Sequence, residues 1–220
     1  MSEAGELPEQ PRLWHRQGLH FGCLAILLAA LYLIWTALGR PFPAAFWTAA
    51  GFPVLHQVFT WIAWRIELNT SAVSATIGFR GYLTIFFVLF GGRFVSLAFL
   101  AYLDRDSLGL PAVAQGLVTG VLLVPGIYAM YSVQRYFGMA RAAGGDHFEQ
   151  RFRDMPMVRE GIFRFTSNGM YVYAFMLFWA IATGFGSSAA MAVAAFSHAY
   201  IWVHFHATEK PDMNFIYRAG

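Results

Sequence analysis

Long apolar runs separated by short polar intervals organise this chain. Six stretches approach the ~20 residues that a helix needs to cross a bilayer. They run from Leu19 to Leu38, Phe42 to Trp64, Tyr82 to Leu103, Leu110 to Ser132, Met170 to Phe185 and Ser187 to Phe205. The runs are continuously apolar rather than alternating, which predicts helices and not barrel strands. Only a short Gly- and Ser-containing junction, Thr183 to Ser188, separates the last two, so a C-terminal helical hairpin is expected there. The expected fold is all-α, a polytopic transmembrane helical bundle of about six spans. Its expected organisation is a cytoplasmic tail over residues 1–18, a four-helix transmembrane region over 19–135, and a C-terminal unit over 136–220 holding a cytoplasmic loop, the hairpin and a tail.

Composition agrees with that pattern. Of 220 residues, 58% are hydrophobic and 12% charged, about half the charged share of an ordinary soluble domain. A net charge of +3 makes no case for a nucleic-acid partner. The single cysteine, Cys23, excludes an internal disulfide and reads as a small packing residue. Leu19 to Leu38 is too long for a signal-peptide core and has no small-x-small cleavage site, so it reads as a retained first span.

The basic residues give an expected orientation. With a cytoplasmic N-terminus, Arg12, Arg16, Arg65, Arg80, Arg135, Arg141, Arg151, Arg153, Arg159, Arg164, Lys210 and Arg218 fall inside, against Arg40 and Arg105 outside. The positive-inside rule then places both termini in the cytoplasm. Arg93 is the exception, within the third span after Gly91 and Gly92. A charge at that depth costs at least ~2.5 kcal/mol, so it must face protein or water. It reads either as a contact for a lipid phosphate or cofactor carboxylate, or as a structural arginine bonded to carbonyls where the glycines loosen the helix. His56 and Gln57 read as interhelical hydrogen-bonding groups, and Gly116 and Gly120 as a place for close helix contact.

Chemistry is expected where the composition turns polar, between the fourth and fifth runs. Some of the arginines there need no role beyond attraction to anionic lipids, at ~1 kcal/mol each. The crowding of Thr166, Ser167, Asn168, Gly169 and Tyr171 at the next helix start asks for more. Asn168 or Ser167 is a candidate helix cap, Gly169 would let a ligand approach the backbone, and Arg164 could pair a bound carboxylate or phosphate. A second polar cluster follows the sixth run and includes His198, His204, His206 and Glu209. His198 and His206 share roughly one helical face, but a metal would need a third ligand, for which Glu209 is possible and unforced, so no metal is assigned. If the last two runs form a hairpin, Arg164 to Tyr171 and His204 to Glu209 meet at one interface.

These two segments resemble the superfamily of phospholipid and isoprenylcysteine carboxyl methyltransferases. The resemblance rests on Glu160, Gly161, Phe163, Arg164, Asn168, Met170 and Tyr171, followed by Glu209 after the hairpin. The chain departs from the family pattern at Gly169, where a proline is usual, at Ser167, often basic, and at Lys210 in place of a second acid. The resemblance implies a membrane methyltransferase that uses S-adenosylmethionine as methyl donor. Gly161, Arg164, Asn168, Gly169, Tyr171, His204, His206 and Glu209 would then be the donor-binding candidates. A lipid or lipophilic acceptor is implied, foremost a phospholipid amine head group. An amine acceptor must lose a proton, for which Asp146 and His147 are candidates. Isoprenylcysteine or small-thiol acceptors remain open, as does a non-enzymatic membrane protein that uses His198, His204 or His206 to hold haem or a metal.

Overall fold

Local signals set where the apolar runs become helices. In the computed structural model, which describes residues 9–218, α1 spans Gln17–Ala37 and α2 spans Pro43–Thr70. Pro43 begins α2 in the first turn, where its missing N–H is no loss. A short α3 (Ala72–Thr76) leads into α4 (Gly78–Leu103), and α5 (Ala112–Ser132) follows Pro111. Two single-turn helices, α6 (Met139–Ala142) and α7 (Gln150–Arg153), carry the polar interval. Then come α8 (Met176–Gly184), α9 (Ser188–His204) and α10 (Lys210–Arg218). Three π-helical turns, Val133–Phe137, Met170–Ala174 and Phe205–Glu209, are spliced onto α5, α8 and α9. No strand occurs among the described residues.

Among the described residues, three helices are long and apolar enough to cross a membrane: α1, α4 and the continuous stretch Ala112–Phe137. They coincide with the first, third and fourth expected spans. On α5, Val113, Leu117, Val121 and Val124 are exposed at helical spacing, a surface suited to lipid tails. The second run also forms one helix, α2, but its buried face mixes apolar side chains with the polar His56, Gln57, Thr60, Arg65 and Glu67. With its π turn α8 measures about 22 Å, short of a hydrocarbon core of ~30 Å, while α9 with its own π turn measures about 33 Å.

Helix α2 lies against both α4 and α9, α1 lies against α9, and α5 lies against α8. The core joins Phe46, Leu97, Leu100 and Phe178 to Ala189, Ala190 and Ala194 of α9, whose small side chains let the helices approach closely. Gly116 and Gly120, expected to serve such an approach, face open space, and Gly126 does so instead: a Cβ there would meet Leu177 at 2.7 Å.

Buried charge ties down both ends of the bundle. At one end the Asp104 carboxylate accepts hydrogen bonds from Ser107 Oγ (2.8 Å), Ser187 Oγ (2.7 Å) and the backbone N–H of Ala189 (2.9 Å). It thereby supplies an acid to the start of α9, where Ser187 caps the helix through Ala190 N–H. At the other end Arg65, expected in a loop, lies inside the last turns of α2 and pairs with Asp212 of α10 at 2.7 Å.

Candidate functional site

A cavity opens where α2, α4, α5, α8 and α9 converge, with about 720 Å³ of empty space counting its mouth. Four phenylalanines and three methionines are among its twenty lining residues. The polar groups on it are few: His56, Gln57 and Thr60 of α2, Arg93 of α4, and Tyr171, His204 and Glu209 from the C-terminal segments. All three π-helical turns contribute lining residues, among them Val133, Met170, Tyr171 and Glu209. A π turn inserts one residue into a helix and re-aims the side chains beyond it, which is why such turns concentrate at functional sites.

The Tyr171 hydroxyl donates to Glu209, joining the start of α8 to the end of α9. Burial pushes the Glu209 carboxyl up to about 7; the charges of Asp212 and Asp146 add to the rise and the Tyr171 hydrogen bond opposes it. Near neutral pH the cavity therefore holds a carboxylate that is easily neutralised and has lone pairs to spare.

Trp64 forms the neighbouring wall and is itself held on three sides. Its indole N–H donates to Tyr82 Oη (2.7 Å), whose own hydroxyl donates to the carbonyl of Ala143 (2.7 Å). The His147 ring stacks on it at 4.1 Å. Gly144 passes so close, with φ +87°, that a Cβ would sit 2.3 Å from the indole. Glycine is required there both by the backbone conformation and by the contact.

The sequence candidates fall into three groups. Tyr171, His204 and Glu209 line the cavity. Asn168 is half-buried, while Arg164 and His206 are exposed; His206 sits beside Trp202 and Phe205. Asp146 and His147 are buried behind the wall. Arg141 and Tyr217 engage Asp146, and both His147 ring nitrogens face acceptors, Gly144 O at 3.2 Å and Asp212 at 3.3 Å. The expected Asn168 or Ser167 cap does not form; instead Thr166 Oγ1 accepts from Asn168 N–H. Gly161 and Gly169 serve chain contacts: a Cβ would meet Ser132 Oγ at 2.5 Å from the first and Ile162 at 2.9 Å from the second. His198 accepts from Trp179 Nε1 at 3.0 Å.

The sequence did not foretell Thr60 and Trp64 as lining residues. Their signal was present, since His56, Thr60 and Trp64 recur every fourth position on α2, but an apolar run hides a polar stripe from a hydropathy average. Arg93 is buried, yet not on helix carbonyls. Its Nη1 donates to His56 Nδ1 at 3.3 Å, and its guanidinium lies 5.1 Å and 5.0 Å from the ring centroids of Phe175 and Phe178. The glycines before it do not loosen the helix, since α4 is continuous. A Cβ on Gly92 would meet Phe52 at 2.2 Å, so this glycine brings α4 against α2.

Residues 114–220 match the family of phospholipid methyltransferases. No curated protein and no solved structure matches the chain. The matched part supplies Tyr171, His204 and Glu209 to the cavity; His56, Gln57, Thr60, Trp64 and Arg93 come from outside it.

Proposed function

Starting from the membership of residues 114–220 in the phospholipid methyltransferase family, we propose that this protein is an integral membrane methyltransferase. It uses S-adenosylmethionine and acts on a lipid or lipophilic acceptor, foremost a phospholipid amine head group. The observation that carries this reading is the cavity between the family-matched C-terminal segments and the preceding helices, with a half-buried carboxylate and unbonded polar groups on an apolar wall. In this reading α2, α8 and α9 complete a six-span bundle around α1, α4 and α5, and both termini are cytoplasmic. The exposed apolar faces of α1, α4 and α5 would border the lipid from which the acceptor arrives.

The residues present suit the donor. Glu209 would receive its ammonium or ribose hydroxyls, Tyr171 would hold Glu209 in place, and the apolar wall with Trp64 would take the flat base. Asn168 and Arg164, nearer the surface, would attend the mouth. When bound, the donor supplies a methyl group on a sulfonium, and transfer to an amine leaves a neutral thioether and an acceptor that sheds one proton. For that proton His204 is placed better than His147: it lines the cavity and neither ring nitrogen is bonded. Asp146 and His147 would position the wall through Trp64. Most of the catalytic contribution is alignment of acceptor nitrogen, methyl and sulfur in a dry cavity.

Equilibrium titration of the purified protein with S-adenosylmethionine tests the reading, and no binding at millimolar donor would sink it. Extraction of lipids after incubation with methyl-labelled donor identifies the acceptor. Label in a phospholipid amine is the expected result; label in a prenylated cysteine or small thiol would replace that acceptor.

A further inference from the structure

The buried end of the cavity carries a positive charge with no counterion. Arg93 is 2% exposed, lies about 22 Å from the start of α4 and about 15 Å from its end, and sits in the middle of a candidate span. No carboxylate is within ion-pair distance of it among the described residues. Its Nε and Nη2 have no hydrogen-bond partner, nor have His56 Nε2 and Gln57 Nε2. An arginine never gives up its proton in proteins, so Arg93 must be the donor to His56 Nδ1. That fixes the His56 proton on Nε2 and makes this free nitrogen a donor too. Four nitrogens from three buried residues of two adjacent helices thus bear unmet donors, and all three residues line the cavity.

An unsatisfied buried donor carries a desolvation penalty, larger when it is charged, and a guanidinium fork matches an oxyanion with two oxygens. The two phenylalanine rings hold the guanidinium plane but supply no acceptor. Glu209, the acid of this cavity, is engaged with Tyr171 and forms no ion pair with Arg93. We infer that Arg93, His56 and Gln57 form an oxyanion receptor at the buried end of the cavity, for the phosphodiester of the lipid acceptor or the carboxylate of the methyl donor. The inference rests on the methyltransferase reading for these two ligands, but not for the receptor chemistry. It adds a determinant from outside the family-matched residues.

The test uses the full-length protein in neutral detergent and needs no turnover. Dihexanoyl phosphatidylethanolamine and dihexanoylglycerol, alike except for the head group, are titrated against tryptophan fluorescence without donor. S-adenosylmethionine and its decarboxylated analogue are compared in the same way. The receptor predicts at least tenfold tighter binding of the oxyanion-bearing member of one pair. The lipid pair marks the phosphodiester as ligand and the donor pair marks the carboxylate. Arg93→Met should abolish the discrimination, and without ligand it should unfold at the same or a higher temperature, because it removes an uncompensated charge. Equal binding within both pairs by the wild type overturns the receptor, whether or not the variant folds. So does an Arg93→Met protein that unfolds at lower temperature with its discrimination intact, the mark of a structural arginine. Phosphodiester discrimination without donor binding would leave the receptor standing and remove the methyltransferase; donor binding without discrimination in either pair would do the reverse.

Discussion

Helix α4 carries two buried charges about three turns apart, and the fold treats them in opposite ways. Asp104 at its end accepts three hydrogen bonds that tie the start of α9 to the α4–α5 connection. Arg93 in its middle has one bond, to His56, and two free nitrogens facing a cavity. Both charges cost desolvation energy, but only the first is answered by the protein's own groups. The Arg65–Asp212 pair also meets its counter-charge inside, at 2.7 Å. Satisfied buried charge marks the joints of this fold, and unsatisfied buried charge marks its receptor face.

Substitutions can break or sharpen that contrast. The largest effect is expected from Arg65→Ala, which strands Asp212 without its main counterion; loss of one partner of a buried pair costs about 3–5 kcal/mol. Thermal or denaturant unfolding in detergent would show it, and a change within error would remove the pair from the joints. Asp104→Ala should follow at about 1–3 kcal/mol, read in the same unfolding experiment, because the cap of α9 and two serine hydroxyls lose their acceptor.

A tenfold or so loss of donor affinity is expected from Glu209→Gln at pH 8, from a missing charge-assisted contact. The wild type should also bind donor more weakly as pH falls through about 7, where Glu209 takes up a proton, and the variant should flatten that dependence. The same raised pKa acts oppositely on the empty protein. Its contribution to stability is fully present below about 4.5 and is lost as pH rises through about 7. Opposite pH trends for unfolding and donor binding would place Glu209 on the receptor side of the contrast; parallel trends would make it a joint. The smallest stability effect, within about 0.5 kcal/mol, belongs to exposed Arg164→Ala. A clear loss of donor affinity in that stable variant would extend the site to its mouth.

Much of the helical layout was legible in the chain. Long apolar runs demand helices in a medium without water, because backbone groups must be satisfied within each segment. Three spans, the start of α9 at Ser188 and the family segment follow from such local signals. Of the candidate site, Tyr171 and Glu209 were found by their resemblance to a known pattern, and His204 by the polar cluster that follows the sixth apolar run. Gly161 stood in the same pattern and Gly169 where that pattern has a proline, but in the fold their neighbours are Ser132 and Ile162. A missing side chain leaves room without saying what fills it.

The sequence by itself determined that this chain is helical, rich in surface for lipid, and marked by polar residues where apolar ones were expected. It could name Arg93 as costly and His56 and Gln57 as interhelical hydrogen-bonding groups, but not whether their bonds are met. Only the tertiary structure decided this, because hydrogen-bond satisfaction depends on neighbours distant in sequence. Gly92 against Phe52 brings α4 onto α2, and three π turns aim the remaining side chains. Through that approach Asp104 found its partners in α9 while Arg93 was left facing an empty space.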